Sequence, residues 1–148
     1  MVRIGIVGIG FMGMIHYLAG QRLQNGRVTA IVSRDPKKRS GDWRGIRGNF
    51  GPPGQLVNVH GIKTYSQLTE LLADADIDLV DICLPTHLHA EASVEALKAG
   101  KHVLVEKPIA LRPEDAERMV TAAHQAGKLL MVAQVLPFVP EFQYTLQL

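Results

Sequence analysis

Short continuous apolar runs alternate along the chain with longer stretches in which apolar residues recur at helical spacing. Runs at Val2–Gly8, Arg27–Ser33, Leu79–Leu84, His102–Glu106 and Leu129–Val135, with a weaker one at Leu56–His60, predict six strands. Apolar residues follow one another in these runs instead of alternating with polar ones. Both faces of each strand are therefore covered, as in a parallel sheet between helices. Phe11–Gln24 carries Met14, Ile15, Leu18 and Leu23 near helical spacing and stops at Asn25-Gly26. Thr64-Tyr65-Ser66-Gln67 reads as a capping box ahead of Leu68, Leu71 and Leu72. His89–Ala99 sets Ala92, Ala96 and Ala99 on one side and ends at Gly100. A further helix opens at Pro113, with Glu114 and Asp115 suited to the dipole of its first turn, and closes at Gly127. Strand and helix alternate throughout, which defines the α/β class with a doubly wound parallel sheet and right-handed crossovers. Ser40–Gly54 breaks the rhythm: its five glycines and two prolines predict a long flexible loop where a helix would be expected.

Composition narrows the class without changing it. A length of 148 residues suits one domain, and 47% hydrophobic with 20% charged positions is ordinary for a globular chain. A net charge of +2 gives no footprint for nucleic acid, and no apolar run approaches the roughly 20 residues that span a bilayer. Cys83 has no cysteine to pair with, and the amino terminus lacks a signal-peptide layout. The expectation is a cytoplasmic protein with no nucleic-acid and no membrane partner.

Gly8-Ile9-Gly10-Phe11-Met12-Gly13 matches G-x-G-x-x-G at the end of the first predicted strand and the start of the first predicted helix. In that setting Gly8 makes the tight turn, Gly10 admits a pyrophosphate to the backbone, and Gly13 lets helix and strand approach. Phe11 and Met12 stand between them at the helix start, where amide groups and the helix dipole favour an anion. The pattern defines a Rossmann-type NAD(P)-binding fold. About 20 residues further on, where a carboxylate usually holds the ribose of NAD, stand Ser33 and Arg34. A hydroxyl beside a guanidinium accepts a 2′-phosphate and favours NADP. Asp35, one step beyond, is placed to swing in and hold NAD, so both cofactors stay open.

In this topology ligands lie at the carboxyl ends of the strands, where the strand order reverses. That places Leu84-Pro85-Thr86-His87-Leu88-His89 opposite the glycine turn. Pro85 holds Leu84 extended, and Thr86 is suited to cap the next helix and to offer a hydroxyl. Of His87 and His89, one faces the crevice and the other solvent. Together with His16 they lack an acidic third ligand nearby, so no metal is assigned. The fifth strand ends in Glu106-Lys107-Pro108. Pro108 keeps Lys107 extended at the strand end, where its ammonium can polarise a reacting oxygen. Glu106 is placed to orient that lysine or to contact the nicotinamide ribose.

These motifs, with His16 three residues past Gly13, Leu84-Pro85-Thr86-x-x-His89, and Ala99-Gly100-Lys101-His102-Val103-Leu104-Val105-Glu106-Lys107-Pro108, resemble the Gfo/Idh/MocA oxidoreductases, the relatives of glucose–fructose oxidoreductase and inositol dehydrogenase. The resemblance runs from Val2 to about Pro140, and the Ala99–Pro108 stretch is its most specific part. It implies hydride transfer between a nicotinamide cofactor and a secondary alcohol of a sugar, cyclitol or related polyol. It further implies that Lys107 contacts the substrate oxygen, that a second α/β domain follows with the acid–base Asp and His, and that the full-length form is a homo-oligomer. Three departures stand out: the chain stops at Leu148, Gln134–Pro140 lacks the family's frequent Arg, and Ser40–Gly54 is long and glycine-rich.

The reading is therefore an NAD(P)-binding domain over residues 1–136, with 137–148 beginning a linker to a C-terminal substrate domain absent from this chain. Lys107 is the candidate catalytic residue, and it joins Gly8, Gly10, Phe11, Met12, Gly13, Ser33, Arg34, Leu84, Pro85, Thr86, His89 and Glu106 as a candidate cofactor contact. A non-catalytic NAD(P)-binding sensor or interaction module is the alternative. Phe138, Val139, Phe142, Tyr144, Leu146 and Leu148 have no place in the sheet and predict a disordered or self-associating tail.

Overall fold

The apolar run at the amino terminus forms strand β1 (Val2–Val7), and the residues after the glycine turn form helix α1 (Phe11–Gly20). The chain continues through β2 (Gly26–Val32), a one-turn α2 (Pro36–Arg39), β3 (Lys63–Tyr65), α3 (Leu68–Leu72) and β4 (Leu79–Ile82). It ends with α4 (His89–Lys98), β5 (His102–Val105), α5 (Pro113–Ala126), β6 (Leu130–Val132) and α6 (Pro140–Thr145). The computed structural model describes residues 1–147.

All six strands are parallel and lie in the order β3-β2-β1-β4-β5-β6. The doubly wound sheet is thus present, and the order reverses between β1 and β4. Successive residues of β1 feed opposite faces, as the period of two requires. Val7 joins Val80, Leu97, Val103 and Met119 in the core beneath α3, α4 and α5, while Ile6 joins Met14, Tyr17, Ile31 and Trp43 beneath α1. Burying each such side chain stabilises the fold by about 1.5–3 kcal/mol relative to exposure. Pro113 sits in the first turn of α5, and Gly127 terminates it at φ 60° in the left-handed region.

Ser40–Gly54 forms no helix or strand, as the glycines and prolines predict, but part of it is packed against the domain. Trp43 is fully buried, packs edge-on against Tyr17 with ring centroids 4.9 Å apart, and donates from its indole N–H to Lys38 O at 2.8 Å. Phe50 meets Phe11 in the same way at 4.7 Å. The glycines let the backbone fold tightly while two aromatic rings anchor it on α1, so the segment takes over the cover that a helix would have supplied.

Other boundaries shift for local reasons. The first helix stops at Gly20 instead of Gln24. Leu56–His60 holds only an isolated bridge, Leu56 to Asp42, and β3 is the polar segment Lys63–Tyr65, which pairs with Ala30–Val32. The capping box is consequently three residues later than Thr64: Gln67 and Glu70 cap α3, and Glu70 Oε2 accepts from the amides of Ser66 and Gln67. Thr86 opens a 3-10 turn, Thr86–Leu88, and its hydroxyl caps no helix; the N-cap of α4 is Leu88. The tail forms a short turn at Leu136–Phe138 and then α6, with Phe138, Phe142, Tyr144 and Leu146 exposed. Leu148 lies outside the described residues.

Candidate functional site

The carboxyl ends of β1, β2, β4 and β5 enclose a cavity of about 780 Å³. The glycine turn forms one wall. Gly8 adopts φ 97°, and a Cβ there would lie 2.8 Å from Cys83 O, so the position is closed to any other residue. A Cβ on Gly13 would lie 2.1 Å from Gly8 O, which is the close helix–strand approach expected of the third glycine. Gly13 itself is buried and does not line the cavity. Gly10 differs: a Cβ there would meet nothing within 4 Å, so the space beside its backbone is open. The first helical bond of α1 runs from Met14 N to Gly10 O at 3.0 Å, which leaves the amides before it without helical partners. Open space against an uncapped helix start with no acidic residue in its first turn fits a pyrophosphate.

At one end of the cavity lie Ser33 and Arg34, just past β2. Ser33 is largely buried, whereas Arg34 is exposed and makes no ion pair among the described residues. Asp35, also in the lining, is already engaged: its Oδ1 accepts the amide of Lys37 at 2.9 Å and caps α2. Lys38 adds a second cation to this end. At the other end lie Leu84, Pro85 and Thr86, then His89, Glu106 and Lys107.

His89 is 1% exposed, and its two ring nitrogens face Pro108 O at 2.9 Å and Leu84 O at 2.8 Å. The ring thus ties the segment after β5 to the end of β4, while His87 is exposed. Lys107 is exposed, makes no side-chain ion pair among the described residues, and donates its backbone N–H to Glu106 Oε2 at 3.1 Å. Glu106 is 5% exposed and belongs to the wall more than to the open space.

Beneath this wall stands a group that sequence reading did not assemble. His16 Nδ1 lies 2.9 Å from Asp81 Oδ2, and its Nε2 lies 3.0 Å from Glu106 Oε1. The second approach is too oblique for a directed hydrogen bond and leaves Oε1 with charge contact alone. Cys83 Sγ is 3.4 Å from His16 Nδ1 and 3.6 Å from Asp81 Oδ1. Burial works against a charged His16 ring, but the hydrogen bond and charge of Asp81, with the charge of Glu106, outweigh it and raise the histidine above its usual value. Burial, reinforced by Asp81 and Glu106, pushes the Cys83 thiol far up, so it is neither a thiolate nor a nucleophile at neutral pH. His16 therefore joins Asp81 and Cys83 in place of His87 and His89. One signal was available: Asp81 is a carboxylate inside the apolar run Leu79-Val80-Asp81-Ile82, which demands a buried partner.

A glycine turn, a reversed strand order and an elongated crevice at the strand ends together define a dinucleotide-binding α/β domain. The family model described as an oxidoreductase family with an NAD-binding Rossmann fold matches residues 2–134, and the chain belongs to this Gfo/Idh/MocA family. It is 30% identical over 144 residues to 4-carboxy-2-hydroxymuconate-6-semialdehyde dehydrogenase of Sphingobium sp., covering 97% of this chain and 41% of the relative. It is 29% identical over 143 residues to scyllo-inositol 2-dehydrogenase (NADP(+)) of Bacillus subtilis, covering 97% and 40%. Among solved structures, the 3-ketoreductase KijD10 of Actinomadura kijaniata, in complex with TDP-benzene and NADP, superposes with a TM-score of 0.83 at 28% identity, over 99% of this chain and 42% of its own. The chain spans about two fifths of the length of these relatives. No helix among the described residues is long and apolar enough to cross a membrane.

Proposed function

We propose that residues 1–136 are the cofactor domain of an NAD(P)-dependent oxidoreductase acting on a secondary alcohol of a sugar, cyclitol or related polyol, and that the following residues lead into a substrate domain. One observation carries the reading: an open crevice runs from Arg34, past the unfilled space at Gly10, to an unpaired Lys107. The inositol dehydrogenase and the ketoreductase among its relatives support the substrate class.

Each part of the lining has a task. The amides at the start of α1 hold the pyrophosphate, Ser33 and Arg34 hold the adenosine ribose, and Leu84, Pro85 and Thr86 bound the nicotinamide side. When bound, the nicotinamide accepts or supplies the hydride. Lys107 Nζ donates a hydrogen bond to the substrate oxygen and stabilises the negative charge that grows there as the C–H bond is made or broken. Glu106 accepts the Lys107 amide and fixes the backbone that carries the ammonium. No free proton acceptor stands beside Lys107 in this lining, so the acid–base group is assigned to the substrate domain. The same domain covers the apolar residues exposed on the tail, and the assembled enzyme is a cytoplasmic homo-oligomer.

The test is a paired titration with NADH and NADPH, followed by nicotinamide fluorescence. Both are expected to bind, NADPH more tightly, because Asp35 is spent as a cap while the Arg34 guanidinium is free. Arg34→Ala is expected to weaken NADPH by roughly tenfold to a hundredfold, the worth of one or two charge-assisted hydrogen bonds, and to leave NADH nearly unchanged. Absence of binding by either nucleotide would overturn the assignment.

A further inference from the structure

His16 joins three elements that the proposed function needs in register. It stands on α1, which begins at the glycine turn, and it reaches Asp81 on β4 and Glu106 at the end of β5. Both carboxylates are about 7% exposed at their side chains, so neither is neutralised by water. Asp81, Cys83 and Glu106 are the titratable groups facing the imidazole, and the Cys83 thiol, pushed up by burial, adds no charge. His16 is the one cation in the group.

Glu106 is held at both oxygens by different neighbours: Oε1 only by the charge of His16, Oε2 by the Lys107 amide. Asp81 does not line the cavity, whereas Glu106 does. Without the imidazole, two buried carboxylates would face each other across the vacated space. The one beside open solvent, Glu106, would turn into the cavity to recover hydration, and the Lys107 amide would lose its acceptor.

We propose that His16 is a positioning residue that holds Glu106, and through it the backbone of Lys107, in the shape that the nicotinamide end of the crevice requires. The proposal rests on the dinucleotide reading above and adds a division within it. The adenine end, Ser33 and Arg34, does not contact this group and should not depend on it.

The experiment uses the natural protein that carries this chain and compares NADPH with 2′-phospho-ADP-ribose, which lacks the nicotinamide. His16→Gln is expected to weaken NADPH by roughly tenfold, within the range of couplings between contacting residues, and the truncated ligand by less than about twofold. The His16→Gln/Glu106→Gln double variant is expected to bind NADPH no worse than Glu106→Gln alone. Equal losses for both ligands, or losses that multiply in the double variant, would show a merely structural histidine and overturn the proposal. The unmutated protein gives a second measurement that needs no folded variant. As pH rises past the usual histidine range and His16 loses its proton, NADPH should weaken relative to the truncated ligand, and Glu106→Gln should remove that trend; a flat ratio counts against the proposal. If the truncated ligand fails to bind the unmutated protein, the dinucleotide reading itself falls. Binding of that ligand with no selective loss of NADPH sinks only the role of His16.

Discussion

At the amino ends of the strands, charges are matched one against another. Arg3, on β1, donates to both oxygens of Asp78 at 2.7 and 2.9 Å and to Asp76 at 2.9 Å. Lys63 lies 2.9 Å from Asp74 and from Asp76, and Tyr65 donates to Asp74 at 2.8 Å. The Arg3 guanidinium holds the Asp78 carboxyl well below the usual carboxylate range. At the carboxyl ends the arrangement is reversed. Arg34 and Lys107 face a cavity without ion-pair partners among the described residues, and the ion group beneath the cavity wall, His16 with Asp81 and Glu106, is buried. Paired, partly hydrated charges tie β1 and β3 to the connection before β4 and contribute little individually. Unpaired cations beside open space add nothing to the fold and are available to a ligand. One sheet thus separates holding from binding by which end its charges occupy.

The largest effect that would break this contrast is Lys107→Ala. If the proposed activity holds, the natural protein that carries this chain is expected to lose about a hundredfold to a thousandfold in kcat, as on loss of an oxyanion donor, with the melting temperature unchanged because the side chain is exposed. Steady-state kinetics beside thermal melting measures both. A smaller effect separates two glycines of one turn. Gly10→Ala puts a methyl into open space and is expected to weaken NADPH roughly tenfold or more at unchanged stability. Gly13→Ala drives a methyl against the Gly8 carbonyl and is expected to cost about 1–3 kcal/mol in denaturant unfolding.

The smallest effects belong to the amino ends. Asp76→Asn removes two exposed ion pairs and is expected to move the melting temperature barely beyond what a scan resolves. Acid affects this end through Asp74, whose carboxyl is lowered from 3.8 to about 2, first by the Lys63 hydrogen bond. A carboxylate depressed in the folded state supports stability above its ordinary value and loses that support as pH falls toward about 2. Melting curves across that window should show the decline, and Asp74→Asn should flatten it. His16 has the opposite sign: its raised value supplies stability at low pH that is lost as pH rises through it.

Much of the site could be read from the chain because its parts are contiguous. The strand–glycine–helix unit, Leu84-Pro85-Thr86 and Glu106-Lys107 each lie within a few residues, and strand ends in a doubly wound sheet have only one place to meet. The loop at 40–54 is legible, but its packing is not, because glycine and proline report local freedom whereas Trp43 and Phe50 find their partners on α1. Strand β3 is not legible in the chain because Lys63-Thr64-Tyr65 has no apolar signal and is a strand only through pairing with β2.

The alternation of strand and helix, the glycine turn and the place of Lys107 at a strand end are legible in the linear chain, since they follow from periodicity and short-range backbone geometry, and the family is legible from its contiguous motifs. Folding is what engages Asp35 as a cap, leaves open space beside Gly10, and brings His16 to a carboxylate 65 positions away. Hydrogen-bond partners and burial depend on which distant residues share a face, and a linear pattern does not carry that information.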